Sequence, residues 1–320
     1  MKLKELYETA VEKAIEADPR GKKEVIELLK ERKKEFKELK AIDQEFYDKD
    51  RLWNPYDDSR ILNGKPESNV KTALIGIDVE VSEVLLAHTL NKDKKAGIDL
   101  LLAHHPEGNA LYNLFKVTPM QARIMELAGM PISAAENFTS ESAEVVSRRF
   151  SAVNAFRTVD ASKLLGFPLI CLHTVADNYC QQFVKNLVEK NNPRTLNETI
   201  ELLKEVPEFI EYRKRGQEIK LVNGNPNNSL GNFFVEMTGG TTPVQKVYKK
   251  LANSGVSTII DMHNTEDNIK EAKKHNLNII LTNHIPSDNL GLNLLLDQIE
   301  KKLGKLNVIE CSGFVRVKRK

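Results

Sequence analysis

Three short apolar runs in this chain each lead into a histidine. Residues 98–103 lead into His104-His105-Pro106. Residues 168–172 lead into His173-Thr174, with Asp177 four positions beyond the histidine. Residues 277–282 lead into Asn283-His284, with Asp288 four positions beyond. In open α/β sheets, sites form outside the carboxyl ends of the strands. Three strands would therefore deliver imidazole to one edge, and two would add a carboxylate at helical or turn spacing. Neutral imidazole and carboxylate together suit zinc, iron, manganese, cobalt or nickel. Adjacent residues of an extended chain project to opposite sides, so His104 and His105 serve two ions more naturally than one. A carboxylate such as Asp177 can bridge such a pair. Two divalent ions about 3.5–4 Å apart polarise a substrate and acidify a bound water. The pattern favours metal-assisted hydrolysis over redox chemistry, which calls for thiolates or a further cofactor. A single histidine at a strand end is more often just hydrogen-bonded, but packing gives no reason for three.

The surrounding elements are those such a site requires. From residue 70 onward, short apolar runs (70–77, 98–103, 131–134, 168–172, 219–222, 233–237, 256–260, 277–281 and 306–309) alternate with amphipathic stretches (81–90, 119–128, 142–156, 243–254, 267–275 and 288–303). That alternation predicts an α/β fold with mixed, largely parallel sheets. Residues 51–177 form a first α/β half, 178–217 a helical interlude, and 218–320 a second α/β half. Residues 2–16 and 22–48 carry apolar positions at helical spacing among many charges, and Asp18-Pro19-Arg20-Gly21 separates them. They predict an N-terminal helical hairpin over residues 1–50. No repeat of short period is evident.

Composition narrows the function classes. Lys and Arg total 47, and Asp and Glu 45, for a net charge of +2 over 320 residues. Nucleic-acid binding usually needs a concentrated basic face, which this balance does not suggest. Cys171, Cys180 and Cys311 are odd in number and form no C-x-x-C. That argues against a disulfide framework and for a reducing cytoplasm. The N-terminus has no apolar core of a signal peptide, and no run is long enough to predict a membrane span.

Leu101-Leu102-Ala103-His104-His105-Pro106 resembles the "tHHP" motif of the NGG1-interacting-factor-3-like family, whose members are also labelled type 2 homologues of GTP cyclohydrolase I. His173-Thr174-Val175-Ala176-Asp177-Asn178 resembles its H-T-x-x-D segment, and Asn283 to Gly291 its G-H-x-x-S-E-x-x-G segment. The stretches 57–64 and 76–78 echo its opening elements. The resemblance covers roughly residues 52–317. It implies two intertwined α/β halves holding a dinuclear metal site, with ligands at His104, His105, Asp177, His284 and Asp288. It places His173 beside the ligands, orienting one or acting as acid or base. It also implies a closed homo-oligomer, a hexamer in many members. The cyclohydrolase label points to a metal-dependent hydrolase of a small nucleotide-like or phosphorylated substrate. Partner binding, from which the family is named, points instead to a non-catalytic metal-binding regulatory or scaffold protein. Asp288 stands where the family usually has Glu, and Asn283 where it has Gly.

Other residues carry weaker signals. His263 follows the strand 256–260 and can carry a proton at the site or cap the next turn. Asp78 can contact the site or cap a helix. Glu136 is an extra ligand or base, or a helix N-terminal carboxylate. His88 and His275 read as structural or exposed. Thr238-Gly239-Gly240-Thr241-Thr242-Pro243 is a strand-to-helix turn able to receive phosphate or simply to turn.

Overall fold

Alternating β-runs and amphipathic helices produce two sheets with helices against both faces. The computed structural model describes residues 1–241 and 244–319. In chain order it contains α1 (Leu3–Glu16), α2 (Lys22–Glu38), α3 (Ala41–Phe46), β1 (Arg60–Asn63), β2 (Thr72–Gly76), α4 (Val81–Lys94), β3 (Leu100–Ala103), α5 (Gly108–Tyr112), α6 (Met120–Leu127), α7 (Ile132–Ser151), α8 (Arg157–Leu164), β4 (Leu169–Cys171) and α9 (Thr174–Asn191). It continues with α10 (Leu196–Lys204), α11 (Pro207–Lys214), β5 (Lys220–Asn223), β6 (Phe233–Glu236), α12 (Lys246–Asn253), β7 (Thr258–Asp261), α13 (Glu266–Lys274), β8 (Asn278–Leu281), α14 (His284–Leu303) and β9 (Asn307–Glu310).

The first sheet has the order β1-β4-β3-β2-β9 and the second β5-β8-β7-β6. Only β1 and β5 run antiparallel to their neighbours, so the sheets are mixed and largely parallel, as expected. The halves interlock through the chain's last part. After the second sheet is complete, α14 leads to β9, which joins the first sheet beside β2. Leucines on α14 (292, 295 and 296) pack with α1 against Ala73, Ile75, Leu100 and Leu102 of the first sheet. Leu290 of α14 and Cys180, Val184 and Val188 of α9 pack on Val235, Ile260 and Ile280 of the second. Thus α9 and α14 lie between the sheets. The outer faces are covered by α4 and α8 on one side and by α6 and α12 on the other.

The halves also repeat one another in detail. β1 runs into Asn63-Gly64-Lys65-Pro66, and β5 into Asn223-Gly224-Asn225-Pro226. Asn63 Nδ2 donates to Phe167 O (2.7 Å), and Asn223 Nδ2 to Leu277 O (2.6 Å). Gly64 and Gly224 take φ of 114° and 116°. A Cβ at either would lie 2.8 Å from Pro168 Cβ or 2.6 Å from Asn278 Oδ1, so only glycine fits. The N-terminus of α1 docks on one of these loops and that of α10 on the other, through Leu3 N to Ser68 O and Leu196 N to Asn228 O.

Two local expectations are corrected. Residues 131–134 begin helix α7 rather than form a strand. Four apolar residues do not separate the two states, and Pro131, directly before the helix, favours the helical start. The helix expected over 22–48 breaks at Leu39 and Lys40, which are extended, and Gln44 Nε2 donates to the carbonyls of Phe36 and Leu39 that the break leaves. No helix among the described residues is long and apolar enough to cross a membrane.

Candidate metal centre

β3 ends at Ala103, and the next two amides, His104 N and His105 N, bond back to the carbonyls of Gly76 and Ile77 beyond β2. This turn fixes where both imidazoles emerge. β4 ends at Cys171 and passes through His173 into α9, whose first turn carries Asp177. β8 ends at Leu281, and His284 opens α14, four residues and about one turn before Asp288. His284 therefore stands on the helix itself rather than on the strand end. Asn283, where the family resemblance expects Gly, has φ 71° and ψ 148°, a glycine-like conformation. Its side-chain amide donates to Glu218 O at 2.6 Å.

These elements bring all six sequence candidates together. His104 Nε2 lies 3.3 Å from Asp177 Oδ1 and 3.5 Å from Asp288 Oδ1. The other oxygen of Asp288, Oδ2, lies 3.4 Å from His105 Nε2 and 3.5 Å from His284 Nε2. Two donor sets, His104-Asp177-Asp288 and His105-His284-Asp288, can each hold an ion, and Asp288 is common to both. His104, His105 and His173 form a third converging set. Asp288 thus occupies the shared position that chemistry alone had offered to Asp177.

The fit to a cation rests on orphaned atoms. His104 Nε2, Asp177 Oδ1 and both carboxylate oxygens of Asp288 are buried without a hydrogen-bond partner. Four such atoms within one cluster would be costly without a ligand. The opposite ring nitrogens are engaged. His104 Nδ1 donates to Leu172 O (3.1 Å), a carbonyl that can only accept, so in the neutral ring Nε2 carries the lone pair. His105 Nδ1 faces Asp78 Oδ1 (2.7 Å), and His173 Nδ1 faces Asp58 Oδ2 (2.8 Å). Asp78 therefore contacts the site, while Glu80 stands at the N-cap of α4.

Electrostatics follow from this crowding. Burial pushes the His104 imidazole down, but Asp288 and Asp177 outweigh it and hold it well above its ordinary value. For His105 the balance ends at about 9. Burial raises Asp288, yet the imidazoles of His104, His105 and His284 bring it well below the carboxylate range. His284 is more exposed to the balance of burial than of charge, and it falls to about 4. Protons compensate the carboxylates here, and a bound cation would displace them.

Some positions escaped the sequence reading. Asp58 is fully buried, bonds His173 and Thr174, and is held below its usual range by His173 despite its burial. Its only sequence signal was its place in the 57–64 stretch. Glu236 and Asp261 end β6 and β7 side by side and are also buried. A carboxylate closing the apolar run 233–237 was the available signal. His105, His173, His284, Glu236 and Asp261 line a cavity of about 850 Å³, with Thr238, Gly240 and Thr241, while Thr242 and Pro243 lie outside the described residues. The ring of His263 stands 4.6 Å from that of His284 and lines the cavity. Glu136 is exposed on α7 and lines a different cleft. His88 is exposed, and His275 bonds Glu271.

The fold has a counterpart among solved structures. A NIF3 superfamily protein from Sphaerobacter thermophilus superposes with a TM-score of 0.69 at 25% identity, over 81% of this chain and 92% of that one. The chain has the NIF3-superfamily fold. Two further similarities are looser: reduced HcgD from Methanocaldococcus jannaschii (TM-score 0.47, 17% identity, 79% and 87% covered) and a Bacillus cereus protein related to NIF3 (0.45, 11%, 82% and 92%). No protein-family model and no curated protein matches the chain. In this NIF3 fold the His/Asp cluster lies outside the carboxyl ends of the strands, where the sequence pattern had pointed.

Proposed function

We propose that the chain is a dinuclear metal-dependent hydrolase of a small substrate, with His104, His105, Asp177, His284 and Asp288 as ligands. One observation carries this reading: the buried, unpartnered carboxylate of Asp288 faces two donor sets at once. Bound there, two divalent ions would supply Lewis acidity and acidify a water. The rest is done by the chain. Leu172 O and Asp78 orient His104 and His105 so that each presents Nε2 inward. Asp58 holds Nδ1 of His173, leaving His173 Nε2, 3.8 Å from Asp177 Oδ2, to carry a proton. Burial depresses His263, so its imidazole stays neutral near pH 7 and can accept a proton from the cavity side. The cavity has the size of a nucleotide-scale ligand, and the family resemblance favours a nucleotide-like or phosphorylated one.

Elemental analysis of the purified protein beside His105→Ala and Asp177→Ala tests the centre. Wild type should hold about two metals per chain, and each variant fewer. Equal metal in all three would remove the assignment. A screen of phosphate esters and nucleotides, with and without added manganese, iron or zinc, tests the reaction. Hydrolysis that survives complete metal removal would exclude the mechanism.

A further inference from the structure

The two sheets present different groups at matching positions. Where β2 and β3 end with Gly76 paired to Ala103, β6 and β7 end with Glu236 paired to Asp261. Asp261 is fixed in place: its Oδ1 accepts from His263 N (3.2 Å) and its Oδ2 from Asn264 Nδ2 (3.0 Å). Glu236 differs. It is 8% exposed, and neither carboxyl oxygen has a hydrogen-bond partner among the described residues. It also lines the cavity of the metal cluster. Burial and the neighbouring Asp261 push its carboxyl well above the ordinary range, and no cation offsets them. Among the described residues the pair joins no group of three or more donors able to hold a metal. Ionised together, the two carboxyls would repel each other, so a cationic ligand is the partner that would let Glu236 carry its charge.

We propose that Glu236, backed by Asp261, is a recognition subsite for a planar cationic N–H fork on the substrate, an amidinium or guanidinium group. Two free oxygens on one carboxylate accept two parallel N–H bonds from such a group, which a lone ammonium cannot give in that geometry. The ligand's charge would return Glu236 to its ionised form, and Leu114, Val146 and Phe150 supply an apolar wall of the same cavity for the rest of it. The subsite is close to the cluster. Asp261 is two residues from His263, whose ring stacks edge-on against His284 at 4.6 Å. A substrate anchored at Glu236 would place its other end toward Asp288. This inference rests on the cavity being the substrate site of the proposed hydrolase.

Calorimetric titration of the full chain, metal-free and zinc-loaded, with benzamidine and with its neutral analogue benzamide separates the possibilities. Benzamidine should bind wild type about tenfold or more tighter than benzamide. Glu236→Gln should lose about that factor for benzamidine while keeping its zinc. The ligand-free variant should melt no lower than wild type, because it replaces an unpartnered buried carboxyl. If Glu236→Gln does not fold, Glu236→Asp, which keeps the charge but withdraws the fork, should weaken benzamidine alone. Equal affinity for the two probes in wild type, or no benzamidine binding at millimolar concentration, would overturn the subsite. So would a Glu236→Gln that melts lower with unchanged benzamidine affinity, the mark of a merely structural carboxyl. Benzamidine binding in a protein whose metal proves dispensable for hydrolysis would leave the subsite standing and remove the metal-dependent mechanism.

Discussion

Beyond the first sheet, Gly76 and Ala103 give way to His104 and His105; beyond the second, Glu236 and Asp261 give way to Met262 and His263. The frames that hold these ends are alike down to the Asn-Gly-x-Pro loop, the antiparallel edge strand and its bulge. Backbone geometry therefore does not make one end a metal centre and the other an acidic pocket. Side-chain chemistry at a few positions does. The first end supplies lone pairs, with each Nδ1 engaged so that Nε2 faces inward. The second supplies oxygens, of which those of Glu236 are engaged by nothing described. The same spacing also recurs with an offset. His173 is the N-cap of α9 and Asp177 sits in its first turn, whereas His284 is already the first residue of α14. Asp288, and not Asp177, is common to both donor sets.

The comparison breaks most visibly at Asp288. Asp288→Ala should bring metal content from about two per chain to below one, because it removes a donor from both sets at once. Glu236→Gln, outside both donor sets, should leave the content unchanged. Metal retained in full by Asp288→Ala would show that the two sets do not share that carboxylate.

The next effect lies where the halves touch. Gly291 of α14 faces α9 so closely that a Cβ would stand 2.5 Å from Ala176 O and 3.3 Å from Cys180 Cβ. Backbone cannot yield there as a side-chain end can. Gly291→Ala should cost about 3 kcal/mol in chemical denaturation. It should also weaken metal binding, since Asp177 and Asp288 sit next to the contact. An unchanged denaturation midpoint would mean that the helices separate freely and do not set the spacing of the cluster.

Much of this is legible in the sequence alone. Apolar runs closed by His104-His105, His173 and His284 point to the edge where the His/Asp cluster gathers, because strand ends need no imidazole for packing. Alternation of strands and helices gave the fold class. The unread parts share a physical cause: long-range placement. Asp58 looks like one more turn residue until the fold brings His173 to it. Glu236 reads as the polar end of an apolar strand until Asp261 pairs beside it and water is excluded. Pro131 to Ala134 contains too few residues for a period to show. Asp288 is one methylene shorter than the Glu the family usually has there, yet its place on α14 sets it between both groups of imidazoles.

A smaller effect separates the ends by pH. Burial raises Asp261 to about 8, and Glu236 is raised as well. A carboxyl whose folded pKa exceeds its unfolded value keeps its proton in the folded state while the unfolded chain loses it. Stability then falls as pH rises from about 4, the unfolded range, to about 8. In chelator, the double variant Glu236→Gln/Asp261→Asn should gain on wild type across that window, by up to about 1.4 kcal/mol per pH unit for each proton involved. Parallel stability curves for the two proteins would mean that the carboxyls are not held protonated by the fold.

The smallest effect asks whether the shared frame is energetically shared. Asn63 and Asn223 are both partly buried, and each donates its amide to a carbonyl just before the paired strand, at 2.7 and 2.6 Å. A neutral bond of this kind is worth about 1 kcal/mol, and its loss leaves a carbonyl to find water. Asn63→Ala and Asn223→Ala should each lower stability by about that amount. The two positions lie in different sheets with no partner in common, so the double variant should lose the sum of the single losses. A large loss from one and none from the other would show that the repeated loop is a likeness of shape only. The contrast between imidazoles and carboxyls would then have grown from two frames that differ, instead of from one frame furnished twice.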